Sequence, residues 1–287
     1  MSAVSLCSLG RGLLGLVAAS ILMAACGSSS SNETAAPFEV PDSLPTVDLS
    51  RAPVADDPDP AVRAGAVADL LQCVHGVWQG GWASDFGPLG EGSGPAEAIV
   101  ALIEDDVLGL PIEALRAVGE APHRVLYTYD VAGSPKLAVV VADSAEVELD
   151  TEQRWAVEAF ASCDPSEFEA SFDDRLPFTV WEDAEGSRVP TSVIRSMPGA
   201  EHCSWESATF LSIDGVGYVA DPDGVLWNEA AVGEFDADAT LPADAVDTGY
   251  RNGPEQLWLG ADSATAFMVT GEQVEAWPAL SQPVACG

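Results

Sequence analysis

Between Asp59 and Val74, apolar residues return at helical spacing. Val67, Leu70, Leu71 and Val74 fall at i, i+3, i+4 and i+7, one face of an α-helix. Asp59-Pro60 supplies a start, because aspartate caps free amides and proline is tolerated at the first helical position. Gly76 ends the run, and the glycine-rich residues 76–94 read as a loop. A second helix is expected from about Pro95, with Ile99, Leu102 and Ile103 facing inward, and a short third over Pro111 to Val118. The period then changes to two. Arg124–Tyr129 and Lys136–Val141 read as strands joined through Val131-Ala132-Gly133-Ser134, a hairpin signal. In Arg154–Ser162, Trp155, Val157, Ala159 and Ala161 alternate onto one face. The pattern predicts an α+β module over residues 61–163, with helices packed on a small antiparallel sheet.

Residues 164–177 are acidic, polar and proline-bounded, and read as a link between modules. From Phe178 the helical signal fades. Phe178–Trp181, Val189–Ile194, Ala208–Ile213, Gly217–Ala220, Gln256–Leu259, Ala266–Val269 and Gln273–Trp277 are short β-like runs. Asp214-Gly215 and Asp221-Pro222-Asp223-Gly224 supply turn chemistry. Residues 178–287 are therefore expected to form a mostly antiparallel β module.

The amino terminus has another character. Arg11 precedes Leu13–Ala25, which carries no charge and closes on two small residues, the anatomy of a secretory signal. The run is shorter than the ~20 residues needed to span a bilayer. Leu22-Met23-Ala24-Ala25-Cys26-Gly27 resembles the lipobox of bacterial lipoproteins, with Met23 where that family usually has leucine. The resemblance covers the signal segment alone. It implies cleavage of residues 1–25, a lipid on Cys26, and residence on the outer face of the cell membrane. Residues 26–60, rich in serine, proline and aspartate, read as a disordered tether to the folded part. Lys136 is the sole lysine among 11 basic residues. With the many alanines, this resembles the composition of proteins from high-GC actinobacteria.

Charge narrows the partners. The 46 acidic residues give a net charge of −35, which excludes nucleic acid, since a phosphate backbone needs a basic footprint. It also opposes lying flat on an anionic membrane. Eight tryptophans and 47% apolar residues are enough for a core. Beyond Cys26, the chain keeps Cys73, Cys163, Cys203 and Cys286, which in an exported protein read as two disulfides. Three pairings are possible. Cys73–Cys163 with Cys203–Cys286 is favoured, because each pair then brackets one module.

Catalytic signatures are missing from the sequence. Glu91-Gly92-Ser93-Gly94 has the wrong spacing for a nucleophile elbow, and Lys136 is not set in a phosphate-binding glycine loop. His75, His123 and His202 are the only histidines. Cys73-Val74-His75 and His202-Cys203 hold the residue types of a Cys₂His₂ metal site, but an oxidising compartment favours disulfides. Asp221–Gly224 lacks the ligand spacing of a calcium loop. Trp205, two residues from Cys203, resembles a tryptophan packed on a disulfide. The most suggestive segment is Cys73 to Trp82, where His75, Trp78, Gln79 and Trp82 form a candidate ligand-binding surface. The competing reading makes both rings core plugs. No metal and no cofactor are implied. The chain is expected to be a lipid-anchored extracytoplasmic protein, not an enzyme, binding a protein or a cell-envelope ligand. The alternative is an envelope hydrolase with a carboxylate or histidine site.

Overall fold

The computed structural model describes residues 38, 40–54, 56–82, 89–105, 109, 111–147, 154–227 and 229–284. The signal segment, Cys26 and Cys286 lie outside these. The fold is β-rich: three antiparallel sheets carry it, and helices are few and mostly short.

The first sheet contains β1 (Val77–Trp82), β2 (Leu89–Gly92), β3 (Arg116–Ala121), β4 (Arg124–Val131), β5 (Ser134–Asp143) and β6 (Trp155–Cys163). Their order is β1-β6-β5-β4-β3, with β2 also paired to β6. The β4–β5 hairpin forms where expected, and Ala132 and Gly133 both take positive φ (51° and 81°), the geometry that a tight hairpin turn demands. Strand β5 is buried on both sides, because both sheet faces are covered. Leu137, Val139 and Val141 enter one core, and Ala138 and Val140 enter the other. Over the first face lies helix α3 (Pro95–Asp105), with Ile99 and Leu102 fully buried and Ile103 packed beside them.

The expected single helix over 60–74 is instead two short ones, α1 (Pro60–Arg63) and α2 (Ala66–Asp69). Asp59 caps α1 as expected, accepting from the Ala61 amide. The break falls at Gly65 (φ 61°), where a Cβ would lie 2.6 Å from the Arg51 carbonyl oxygen. The crossing chain is locked there: Arg51 donates to the Gly65 carbonyl and to the Asp69 carboxylate. Residues 40–54, expected to belong to the tether, thus lie along the fold. Val47 donates to the Glu120 carbonyl, and Glu120 donates to that of Pro45, extending the sheet beyond β3. Phe38 is buried in the first core. Apolar Val47, Leu49 and Phe38 supply the contacts that a solvated tether lacks.

Other expectations shift for similar reasons. The 76–94 loop contains β1 and β2, because β6 has two partners to satisfy. At Gly80 a Cβ would lie 2.3 Å from the Pro60 carbonyl oxygen, so this glycine marks close packing of α1 on the sheet. The third helix reduces to one 3₁₀ turn, Ile112–Ala114, before β3 begins. In β6, the register slips between Val140 and Val141, passing over Glu158. This bulge sends Val157 into one core and Ala159 and Ala161 into the other, so the predicted single face is divided.

The supposed link 164–177 is built into the structure. Buried Asp164 accepts from the Ser166 and Thr191 amides and from the Thr191 hydroxyl. Arg188 makes two 2.6 Å bonds to Asp173 and also donates to the Pro165 and Ser166 carbonyls. Phe168 is buried and stacks on Tyr129 with ring centroids 6.0 Å apart. Satisfied buried polar groups and an aromatic stack make this stretch a fixed junction.

The remaining sheets are β7 (Ile194–Pro198), β8 (Thr209–Ile213) and β9 (Val216–Ala220), and β10 (Val246–Asn252), β11 (Glu255–Leu259), β12 (Thr265–Thr270) and β13 (Gln273–Pro278). They share one core containing Trp181, Ile194, Leu211, Tyr218, Leu257, Met268 and Trp277. Asp214-Gly215 turns β8 into β9 with both φ positive. The expected 178–181 run contributes an isolated bridge at Thr179 rather than a full strand, and of the 189–194 run only Ile194 is in a strand, as the first residue of β7.

Candidate functional site

Residues 72–79 are the segment that the sequence singles out, and the structure uses it as a brace. Cys73 is bonded to Cys163, with Cα atoms 5.2 Å apart. Beside the bridge, the Glu167 carboxylate accepts the Val74 and His75 amides at 2.9 Å each and the Lys136 ammonium at 2.7 Å. Lys136 also donates to the Gln72 carbonyl. Two cysteine sulfurs and one carboxylate thus lie together, but the sulfurs are spent on each other and the carboxylate is saturated by donors. The chemistry of this set does not fit a metal.

Of the four candidate ligand residues, the side chains of His75, Trp78 and Gln79 are described, and each has different surroundings. His75 is exposed, and only its backbone amide is engaged. The register of β1 slips between Val77 and Gln79, leaving Trp78 in the bulge with its ring edge-on to Phe178 at 5.6 Å. Gln79 stands opposite Ser162, and its Oε1 and the Ser162 hydroxyl oxygen are buried without hydrogen-bond partners. Trp82 pairs with Ala159 through its backbone; its side chain is outside the described structure. All three histidines are exposed. Cys203 is disulfide-bonded; its expected partner, Cys286, lies outside the described residues. Asp221 serves as a turn residue, accepting from the Val225 and Leu226 amides.

A better-formed site lies on the outer face of the β7-β8-β9 sheet. Alternation sends Ile194, Ser196, Leu211 and Ile213 inward, and turns Arg195, Met197, Phe210 and Ser212 outward. Arg195 is opposite Ser212, and Met197 is opposite Phe210. Two walls rise over this face. On one side Trp205 packs against Phe210, with ring centroids 5.9 Å apart, and Trp227 follows at 6.0 Å from Trp205. The expected packing partner of Trp205 was a disulfide; its aromatic neighbours are these two rings. On the other side Leu280 sits over Gly217, where a Cβ would lie 2.8 Å from the leucine Cδ1. Gly199 admits the Trp205 turn in the same way, since its Cβ would lie 2.0 Å from the Trp205 carbonyl oxygen.

Between the walls is a groove of about 630 Å³, within the ~300–1,000 Å³ usual for small-ligand sites. Among the described residues no aspartate or glutamate lines it, although the chain has 46. Arg195 is its only charged lining residue among those described. Sequence reasoning named Trp205 but missed the rest. The available signal was Phe210 beside Leu211, apolar side chains on both faces of one strand. Comparison with protein-family models, curated proteins and solved structures finds no match for this chain.

Proposed function

We propose that this chain is a ligand-binding protein held on the outer face of the cell membrane by a lipid on Cys26, with no catalytic role. In this reading residues 1–25 are removed. The chain between Cys26 and the folded part is the tether. Residues 61–163 are taken as an α+β module, a reading supported by the helices lying on the first sheet, and residues 178–287 as a β module. The ligand is a cell-envelope molecule taken up in the Trp205–Leu280 groove, which replaces the Trp78 segment as the binding surface. The observation that carries the proposal is a largely apolar groove, without a carboxylate among its described lining residues, in a strongly acidic chain. A groove lined by apolar side chains with a few polar groups is the usual form of a small-molecule site.

The test is a fluorescence titration of the full chain carrying Cys26→Ser with Nile red, an uncharged dye that brightens in apolar surroundings. Saturable binding of one dye per chain is expected, lost in Met197→Glu, which sets a carboxylate in the groove at a position 39% exposed. Unsaturable binding, or equal binding by Met197→Glu, would remove the groove from the account.

A further inference from the structure

We infer that the groove takes a single-chain amphiphile with one anionic head, and that Arg195 and Ser212 hold the head. This deepens the binding proposal above and rests on it. The first support is Arg195 itself. Every other described basic residue is engaged, either with a carboxylate, as in Arg51–Asp69, Arg124–Glu158, Lys136–Glu167, Arg154–Asp143, Arg175–Glu113, Arg188–Asp173 and Arg251–Asp247, or with backbone carbonyls, as in Arg63 and Arg116. Among the described lysine and arginine residues, Arg195 alone has a side chain with no hydrogen-bond or ion-pair partner, and it is exposed. In a chain with 46 carboxylates, a guanidinium left without one stands in a place cleared of acid.

The second support is the order of side chains along the sheet. The Arg195–Ser212 pair offers a planar cation and a hydroxyl side by side. Arginine's fork of N–H donors matches a carboxylate bidentately. One pleat repeat along, ~7 Å away, the Met197–Phe210 pair begins the apolar part. Trp205 packs on Phe210 of this pair, while Leu280 lies over Gly217, level with Ser212, so the cation and the aromatic cover are ordered along one strand pair. Elsewhere the net charge of −35 repels an anion over the Debye length of about 8 Å. The groove is where an anionic amphiphile meets a cation and apolar cover together.

The third support separates this ligand from an extended peptide. A peptide added to β7 needs the free edge of that strand. The edge is already in use, because the Ser196 carbonyl accepts the Thr179 amide at 2.7 Å. The groove floor offers side chains rather than an open row of backbone groups, which suits an alkyl chain.

The experiment uses the full chain with Cys26→Ser, so that no covalent lipid competes for the groove. Bound Nile red is displaced in parallel by dodecanoate, by methyl dodecanoate and by an apolar hexapeptide with a free carboxyl end. Dodecanoate is expected to bind about 10-fold more tightly than its methyl ester, the scale of one charge-assisted contact. That ratio should fall to about 1 in Arg195→Gln, recover in part in Arg195→Lys, and shrink as salt is raised. Equal affinity for acid and ester in the unaltered Arg195 protein overturns the anionic head and leaves the groove proposal standing. Tighter binding of the hexapeptide overturns the amphiphile. Failure of every probe, Nile red included, overturns the groove proposal itself.

Discussion

Replacing Tyr127 by phenylalanine should stabilise the protein, and the gain should widen at high pH. Tyr127 is fully buried in the first core, and its hydroxyl has no hydrogen-bond partner. Leaving a buried hydroxyl unpaired costs about 1–3 kcal/mol. Phenylalanine removes the oxygen and leaves only a small void, so Tyr127→Phe should gain about 1 kcal/mol at pH 7. The alkaline part follows from ionisation. Burial pushes the Tyr127 hydroxyl up to about 12, against 10.0 for a free tyrosine. The folded state therefore keeps a proton that the unfolded chain has begun to release. Its contribution is complete below pH 10 and is lost as pH rises towards 12, because ionisation then favours the unfolded state. Two pH units correspond to about 3 kcal/mol. Burial raises Tyr129, Tyr218 and Tyr250 in the same direction, so the variant keeps part of the alkaline decline. Urea unfolding at pH 7, 10 and 11.5 measures both effects. A variant less stable than the parent at pH 7 would refute the unpaired hydroxyl. An advantage that fails to grow between pH 10 and 11.5 would refute the raised ionisation.

Three further outcomes follow from the braces and the groove walls. Removing the bridge as Cys73→Ser with Cys163→Ser frees a loop of 90 residues and should cost up to ~4–5 kcal/mol, read from the urea midpoint; an unchanged midpoint contradicts the brace. Glu167→Gln leaves the buried Lys136 ammonium without its carboxylate and should cost roughly 3 kcal/mol, with faster amide exchange at Val74 and His75; exchange unaltered at both amides contradicts it. Gly199→Ala drives a methyl into the Trp205 backbone, so it should lower stability by about 1–3 kcal/mol and shift the Trp205 emission. A spectrum identical to the parent's would mean that the wall is not built as described.

What the sequence made legible was local. The β4–β5 and β8–β9 turns depend on residues that tolerate positive φ at the right spacing, and both formed where expected. Helix α3 shows its inward face in Ile99, Leu102 and Ile103. The Cys73–Cys163 bridge followed from the module pattern. Distant contacts decided the remainder. Gly65 reads as an ordinary residue within a helix until the chain at Arg51 is known to cross it. Gly80 reads as loop until α1 is known to press on it. Strand β10 was missed because its register slips between Asp247 and Arg251 and its sequence shows no clean alternation. The groove was hidden for the same reason. Its residues come from β7, β8, the Trp205 turn and Leu280, which no short window unites. Trp78 drew attention as a possible binding ring, yet its ring is engaged by Phe178.

The most direct test is a crystal structure of the full chain carrying Cys26→Ser, grown with dodecanoate. The account predicts an alkyl chain between Trp205, Phe210, Met197 and Leu280, with its carboxylate on the Arg195 guanidinium. Dodecanoate seated elsewhere, with the groove holding only water, would contradict it.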